Sequence, residues 1–575
     1  MGAGIRRGLL IAVALGAALL WTAVGQCAVI HVKPGGVDSN DGLTWDSARL
    51  TVQAGLSAAL SGDDVWVAAG TYVERITLTD GVGLYGGFVG TETSRGQRNW
   101  AANVTILDGN QGGSVVTSPS GATASTQIDG FTIRNGSGTL QGEVSWGGGI
   151  YCSSSSPTIA NNTITANRAT RGSGIYCSSS SPTITNNTIG RNTATGTYGG
   201  TGGGIYCESY SGTIANNSIT ANNASWGGGI YCSSSSPTIA NNTISGNSAS
   251  SQGGGIYCEV FTSPTIANNT ISGNSAGNVG GAICSYSLSS LGTIANNVVG
   301  FNSSGLAYLS GGTPVVKHNC VYNPDGYNYL GLSPGATDIQ LDPLFVNRAA
   351  GDYHLTGASP CIDAGDDSVV QSGWVDMDGQ ARVQGAHVDI GADEVAPATL
   401  SSTLPSGWNL ISLPERPVST DPAAVFPGLP INDQLVRWDP SSLSYVGYWD
   451  GNPGDFGPLK AGEGYWLMLN QPTTITYQYY PQCGPQGIRL PVKGWHLIGQ
   501  PHNGSTDVNQ CLLTGQNAPP VCSAMPIYGW YPAQLRYWEV GCDGAPINDS
   551  NLLEPWHGYW LCTPSANLTL TIPPP

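Results

Sequence analysis

Gly147-Gly148-Gly149-Ile150-Tyr151-Cys152 is the stretch that decides the architecture, because it returns down the chain. Its isoleucine recurs at Ile175, Ile205, Ile230, Ile256 and, in weaker form, Ile283, at spacings of 25, 30, 25, 26 and 27 residues. A second motif, Pro157-Thr158-Ile159-Ala160-Asn161-Asn162-Thr163-Ile164, keeps step, with Ile184, Ile214, Ile239, Ile266 and Ile294 in the place of Ile159. An asparagine follows each, at Asn167, Asn192, Asn222, Asn247, Asn274 and Asn302. Each unit therefore holds about three short β-rich runs between turn signals, and no stretch long enough for a helix. Such a unit cannot bury its own apolar face and must stack on its neighbours. Stacking pairs each strand with its equivalent one turn on, about 4.8 Å away. Side-chain alternation then sends Ile150 and Cys152 inward and Tyr151 outward. A bend after Ile159 must break the alternation so that Ile164 also points in. Asn162, Asn187, Asn217, Asn242, Asn269 and Asn297 sit at that bend, where stacked amides can bond to one another and to turn backbone.

The composition around this stretch agrees. The chain has 575 residues, 82 of them glycine, with only 10% charged. Glycine in a helix interior costs about 1 kcal/mol relative to alanine, so a helical architecture is excluded. Disorder is excluded by 40% hydrophobic residues, with 16 Trp and 25 Tyr to bury. Twenty basic against 37 acidic residues leave a net charge of −17, which argues against nucleic-acid or anionic-membrane partners. At the amino terminus Arg6 and Arg7 precede an apolar run over residues 8–21, and Ala23-Val24-Gly25 supplies small residues. Residues 1–25 read as a signal peptide, so export is expected. Gln26 before Cys27 argues against lipidation, and no later apolar stretch is long enough to span a membrane.

The repeats resemble those of secreted right-handed parallel β-helix proteins with the pectate-lyase-like fold, of the bacterial surface-protein type, over roughly residues 28–395. The resemblance implies an all-β chain: a three-sheet solenoid with an N-terminal helical cap, followed by two small tandem β domains. Residues 51–60, with Val52, Leu56, Ala59 and Leu60 at helical spacing, resemble the family's helical cap. Residues 26–110 hold the cap and first coils, 111–330 the clear repeats, and 331–396 a closing region. In that region Leu341-Asp342-Pro343-Leu344-Phe345, Ser359-Pro360-Cys361-Ile362-Asp363-Ala364-Gly365 and Val388-Asp389-Ile390-Gly391-Ala392-Asp393-Glu394 resemble the closing sequences of such proteins. After Pro397 tryptophan becomes dense. Gly407-Trp408-Asn409-Leu410-Ile411 returns as Gly494-Trp495-His496-Leu497-Ile498, and Gly464-Tyr465-Trp466-Leu467 as Gly558-Tyr559-Trp560-Leu561. The offsets of 87 and 94 mark a duplication, with modules at 400–482 and 485–575.

Chemistry is scarce in the coils. Between Trp146 and Gly300 the only acids are Glu208 and Glu259. Both follow a core cysteine and point outward on one sheet, two coils or about 9.6 Å apart. Inverting glycosidases hold their carboxyls about 6.5 to 9.5 Å apart, so the two are catalytic candidates, weighed against two solvated substitutions in a serine-rich stripe. Tyr151, Tyr176, Tyr206, Tyr231 and Tyr257 form an outward stripe that suits ring stacking on sugars, or else packs beneath the glycine-rich loops. Cys152, Cys177, Cys207, Cys232 and Cys258 read as buried free thiols. The densest acids lie in the closing region, where Asp363, Asp366, Asp367, Asp376 and Asp378 place hard oxygen ligands on turns that suit calcium. That ion would be structural; no cofactor is required. In the second module Cys511, Cys522, Cys542 and Cys562, with Cys483 before it, are disulfide candidates.

These observations favour a secreted or surface-associated monomer that acts as a non-catalytic binding scaffold, with polysaccharide or a cell-surface glycan as partner. A polysaccharide lyase or glycoside hydrolase of the same fold and a structural surface spacer are the alternatives.

Overall fold

Each turn of the chain lays down its strands in a fixed order, and each strand pairs in parallel with its copy in the next turn. Ile150–Ser153 pairs with Ile175–Ser178, Thr158–Ala160 with Thr183–Thr185, and Thr163–Thr165 with Thr188–Gly190. The computed structural model describes residues 27–574, except 198, 260–261, 287–291, 311–313, 428–433, 449–455, 482–484, 516–517, 519–526, 533, 535 and 541–551. The leader expected at residues 1–25 lies outside the described residues. The stacked strands make three long sheets of 11, 10 and 10 strands, a parallel β-solenoid running from Val29 to Leu330.

The core is the column between these sheets. Ile205, Cys207, Ile214 and Ile219 are fully buried, as are their equivalents in neighbouring coils. Burying one such isoleucine contributes about 1.5–3 kcal/mol, so three per coil supply most of the gross drive to stack. The bend after each first-sheet strand is built by asparagine. Asn161, Asn186, Asn216, Asn241, Asn268 and Asn296 take left-handed backbone at φ 54–57°, a conformation asparagine tolerates better than most residues. The next residue turns inward and starts the ladder: the Asn162 amide donates to Asn187 Oδ1 at 3.1 Å, Asn187 to Asn217 at 3.0 Å and Asn217 to Asn242 at 3.0 Å. A second ladder runs through Asn167, Asn192, Asn222 and Asn247.

Two expectations need correction. The helical cap forms over Val52–Ala58 with Val52 and Leu56 buried, but Leu60 lies beyond its end and is 75% exposed. The solenoid also has a fourth sheet of five short strands, Arg168–Ala169, Thr193–Ala194, Asn223–Trp226, Ser248–Gln252 and Ser275–Ala276. These runs share only an alanine two residues after the second-ladder asparagine, Ala169, Ala194, Ala224, Ala249 and Ala276, and they pair beside the glycine turns.

The closing region lies along the outside of the coils. The Asn216 amide donates to the Val375 and Asp376 carbonyls, Asp366 and Asn296 exchange hydrogen bonds, and Ala392 N donates to Thr270 Oγ1. Each tail module is built of small antiparallel sheets, a three-stranded and a four-stranded one, to which the second module adds a two-stranded one. Gly407–Ser412, Gly464–Leu469, Leu435–Asp439 and Ser444–Gly447 form the main sheet of the first. Gly494–Gly499, Gly558–Thr563, Ile527–Tyr531 and Arg536–Val540 repeat that order in the second.

Candidate functional site

The tyrosine stripe is a stack, but a covered one. Ring centroids of Tyr151, Tyr176, Tyr206, Tyr231 and Tyr257 follow one another at 5.4, 5.3, 4.9 and 5.3 Å. Tyr206 is 3% exposed, and Tyr176, Tyr231 and Tyr257 are also buried; only Tyr151 is half-buried. Trp146, Trp226, Val279 and Tyr327 pack over them. The cause is the fourth sheet: each coil leaves it through a glycine in left-handed conformation, such as Gly172, Gly202 and Gly227 at φ 60–63°, which folds the preceding segment back over the rings. An open platform of five rings is therefore not what the coils present. Cys284 continues this outward register, pairing with Tyr257 rather than with Cys258.

What remains open is a cavity of about 290 Å³ at the edge of this cover, lined by Glu143, Arg171, Thr201, Trp226, Tyr257 and Glu259 among others. Arg171 lies over the Trp146 ring at 4.7 Å and donates to Tyr206 Oη at 3.3 Å. The two coil acids reach back one coil each. Glu208 Oε2 accepts from Tyr176 Oη at 3.5 Å and Ser178 Oγ at 3.4 Å, and Glu259 Oε2 accepts from Tyr231 Oη. Burial raises these phenols, Tyr176 to about 12, so the tyrosines stay protonated as donors. Only Glu259 of the pair lines the cavity. The core thiols Cys152, Cys177, Cys207, Cys232 and Cys258 are buried and free. Burial leads in raising Cys177 and Cys207, which keeps both as neutral thiols.

The five aspartates named for calcium do not form one site. Asp366 pairs with Lys317 at 2.6 Å, and the ammonium holds its carboxyl well below the usual range. Asp367 takes His387 at 3.0 Å and Val388 N at 2.8 Å. Asp363 accepts from Ala386 N at 2.7 Å, His387 N at 3.1 Å and Tyr480 Oη at 2.5 Å, tying the closing region to the first module. Each of these three serves its own turn, since an isolated acid in a tight turn is satisfied first by nearby N–H groups. Asp376 and Asp378 stay together, the Asp376 Oδ1 accepting from Asp378 N at 3.0 Å and Gln380 N at 2.7 Å. Behind them Asp389 and Glu394 are buried against Arg382, whose guanidinium is 3.6 Å from Glu394. Burial pushes Asp389 up to about 7 and Glu394 to about 8.

The most open aromatic surface lies where the two tail modules meet. Trp438 and Tyr445 from the first module join Trp495, Tyr528, Tyr537 and Trp560 from the second around a groove of about 450 Å³. Trp495 is 40% exposed, Tyr445 51% and Tyr537 47%, and among the described residues its lining is wholly aromatic. The modules face each other across a pseudo-twofold relation. Trp438 Nε1 donates to the Trp495 carbonyl at 2.9 Å, and its counterpart Trp530 Nε1 donates to the Trp408 carbonyl at 3.1 Å. The ring pairs repeat as well: Trp438–Trp560 and Trp466–Trp530 both lie at 5.4 Å and 75°. Leu410, Trp466 and Leu497 bury the centre of the joint. The duplication was legible as two copies, but nothing in the motifs told that their tryptophans meet. Of the disulfide candidates, Cys511 and Cys562 are free thiols; Cys483, Cys522 and Cys542 lie outside the described residues.

With this geometry, the match of residues 198–334 to the right handed beta helix region family is explained. The chain is a right-handed parallel β-helix repeat protein. Residues 57–252 also match the periplasmic copper-binding protein (NosD) family. Among solved structures, the pectate lyase Pel9A is similar at 13% identity and a TM-score of 0.33, the match covering 65% of this chain and 97% of that one. XylC in complex with xylose is similar at 12% identity and a TM-score of 0.27, covering 55% and 87%. No curated protein sequence matches the chain.

Proposed function

We propose that this β-helix protein works outside the cytoplasm as a non-catalytic scaffold that holds polysaccharide, and that the grip is the aromatic groove between its tail modules. The observation that carries this reading is the groove itself: six aromatic side chains, three of them 40–51% exposed, make up its described lining. Large exposed aromatic patches are costly to leave in water and mark binding surfaces. Flat aromatic rings suit the C–H faces of pyranose rings, and a groove whose described lining is wholly aromatic suits a neutral glycan. The solenoid then serves as the extended arm, with its charge-poor coils giving little acid/base chemistry.

The name of the NosD family brings copper into consideration, and the residues do not fit it. Residues 57–252 contain no histidine or methionine. Their four cysteines, Cys152, Cys177, Cys207 and Cys232, are sealed in the solenoid core, so no soft donor in this stretch faces an entry path. A lyase or hydrolase reading is disfavoured by the coil acids, because Glu259 already accepts from Tyr231 and Glu208 stands outside the cavity. The word periplasmic in the family's name accords with the exported location that residues 1–25 lead us to expect.

The test is affinity electrophoresis of the full chain in gels carrying soluble neutral polysaccharides (a β-glucan, a xylan, a mannan) or an acidic one (polygalacturonate). Retardation by at least one neutral glycan, weakened at least tenfold by Trp495→Ala and by Tyr445→Ala, is the expected result. Migration unchanged in every gel would remove the reading, and retardation by polygalacturonate alone would move the site to the Arg171 cavity.

A further inference from the structure

His354, Asp378 and Asp393 converge in the closing region, one ligand atom from each lying within 4.8 Å of the others. The three come from separate segments. His354 sits on the strand Asp352–Leu355, Asp378 follows the turn after Val375, and Asp393 lies near the end of the region. His354 Nε2 is 3.1 Å from Asp378 Oδ2, while its Nδ1 is held at 2.6 Å by Asp352 Oδ1. A carboxylate on the far ring nitrogen is the arrangement that orients a metal-binding imidazole and raises its basicity. Asp393 is buried and accepts from Leu355 N at 2.7 Å with Oδ2.

A second observation is an unsatisfied buried oxygen beside these three residues. Asp376, 1% exposed, has an Oδ2 with no hydrogen-bond partner. Its charge acts on Asp393, as does that of Asp378, which places Asp376 beside the cluster. Neither nearby basic group reaches that oxygen: the Arg382 guanidinium is directed to the carbonyls of Asp389, Gly391 and Asp393 and to Glu394, and the His354 ring to Asp352 and Asp378. A buried carboxylate oxygen without a donor is unfavourable unless an ion or water meets it.

We propose that His354 Nε2 and the carboxylates of Asp378 and Asp393 bind one divalent transition-metal ion of the zinc type, with Asp352 as the positioning residue. One ring nitrogen and two carboxylates make a three-ligand set with a fourth position for water, which suits zinc and not the six to eight oxygens that calcium takes. The ion pins the Asp352–Leu355 strand to the 376–393 segment, and that segment lies along the coils through Asn216 and Thr270. Metal binding is therefore coupled to the seating of the closing region.

The experiment uses the full chain stripped with EDTA and titrated calorimetrically with zinc chloride, then with calcium chloride. One equivalent of zinc binds and the melting temperature rises; His354→Ala and Asp378→Asn each weaken binding at least tenfold. Asp352→Asn weakens it about 10–100-fold, as outer partners of metal ligands do, while exposed His387→Ala leaves it unchanged. The proposal is overturned by the lack of a saturable zinc isotherm, by zinc binding that survives His354→Ala and Asp378→Asn, or by calcium binding more tightly than zinc. Circular dichroism of each variant separates lost ligation from lost fold, and the zinc isotherm of the unsubstituted chain stands whether or not a variant folds.

Discussion

The solenoid and the tail modules are both products of repetition, and they use it in opposite ways. The coils repeat by translation, so equivalent residues stack on one another: isoleucine on isoleucine, tyrosine on tyrosine, amide on amide. Every interior coil offers the same environment, and the stacking consumes the side chains that form it. The tail modules repeat by rotation, so equivalent residues face each other across an axis, and surfaces that neither module has alone come into being. The groove of Trp438, Tyr445, Trp495, Tyr528, Tyr537 and Trp560 draws on both copies. Translation makes a rod with few features; rotation makes a site.

The largest expected effect falls on the translational half. Asn217 accepts from the N and Nδ2 of Asn187 and donates to the Ile184 and Ala215 carbonyls and to Asn242. Asn217→Ala breaks all of these in a buried bend, where each orphaned group costs about 1–3 kcal/mol. A loss of roughly 3 kcal/mol in urea unfolding is expected. Asn319, near the far end of the ladder, bonds onward to Asp338, which is partly exposed, and its alanine variant loses less. Equal losses at the two positions would mean that the ladder does not act as a stack.

The same contrast explains what the sequence reveals. The solenoid was legible because an environment repeated every 25–30 residues writes the same letters each time; Ile150, Cys152 and the Asn162 series all stand where alternation puts them. The fourth sheet was hard to read because Arg168–Ala169, Thr193–Ala194 and Ser275–Ala276 are two residues long, and their one recurring apolar position is an alanine, too small and too brief to mark a strand. Burial of the tyrosines beneath the glycine-rich segments was one of the two readings the stripe allowed, and the fourth sheet is what decides for it. The five aspartates were legible as acids on turns, yet which of them converge depends on segments folding back. His354 and Asp393, distant in sequence from Asp378, gave no spacing signal.

A second way to sharpen the comparison lies at the joint between rod and tail, and it is read by pH. Burial raises Asp389 to about 7 and Glu394 to about 8. The folded state therefore binds more protons than the unfolded one between the ordinary carboxylate range and these values. Stability is greatest on the acid side of that window and falls as the pH rises through it. The Lys317–Asp366 pair has the opposite sign: its contribution is present above the ordinary carboxylate range and is lost only on strong acidification. Thermal melts from pH 5 to 8.5 should show the decline, and Glu394→Gln should flatten it. A melting temperature that rises across this window in both proteins would contradict the buried-acid account.

The smallest effect is the one that tests the rotation itself. Trp438 and Trp530 each donate one indole N–H to a backbone carbonyl of the other module, at 2.9 and 3.1 Å. Trp→Phe at either position keeps a ring and removes one hydrogen bond, worth about 1 kcal/mol. If the modules are true rotational equivalents, the two substitutions cost the same within about 0.5 kcal/mol, and the double variant costs their sum because the two bonds share no atom. The groove should still distinguish them. Trp438 lines it, whereas Trp530 does not, so only Trp438→Phe should also weaken retardation by a neutral glycan. Equal stability with unequal binding is the signature of a symmetric joint that carries an asymmetric site, because Tyr528 stands on one side where Val436 holds the corresponding place on the other. Unequal stability would show that the joint is held by one module's tryptophan and that the pseudo-twofold relation is one of shape alone.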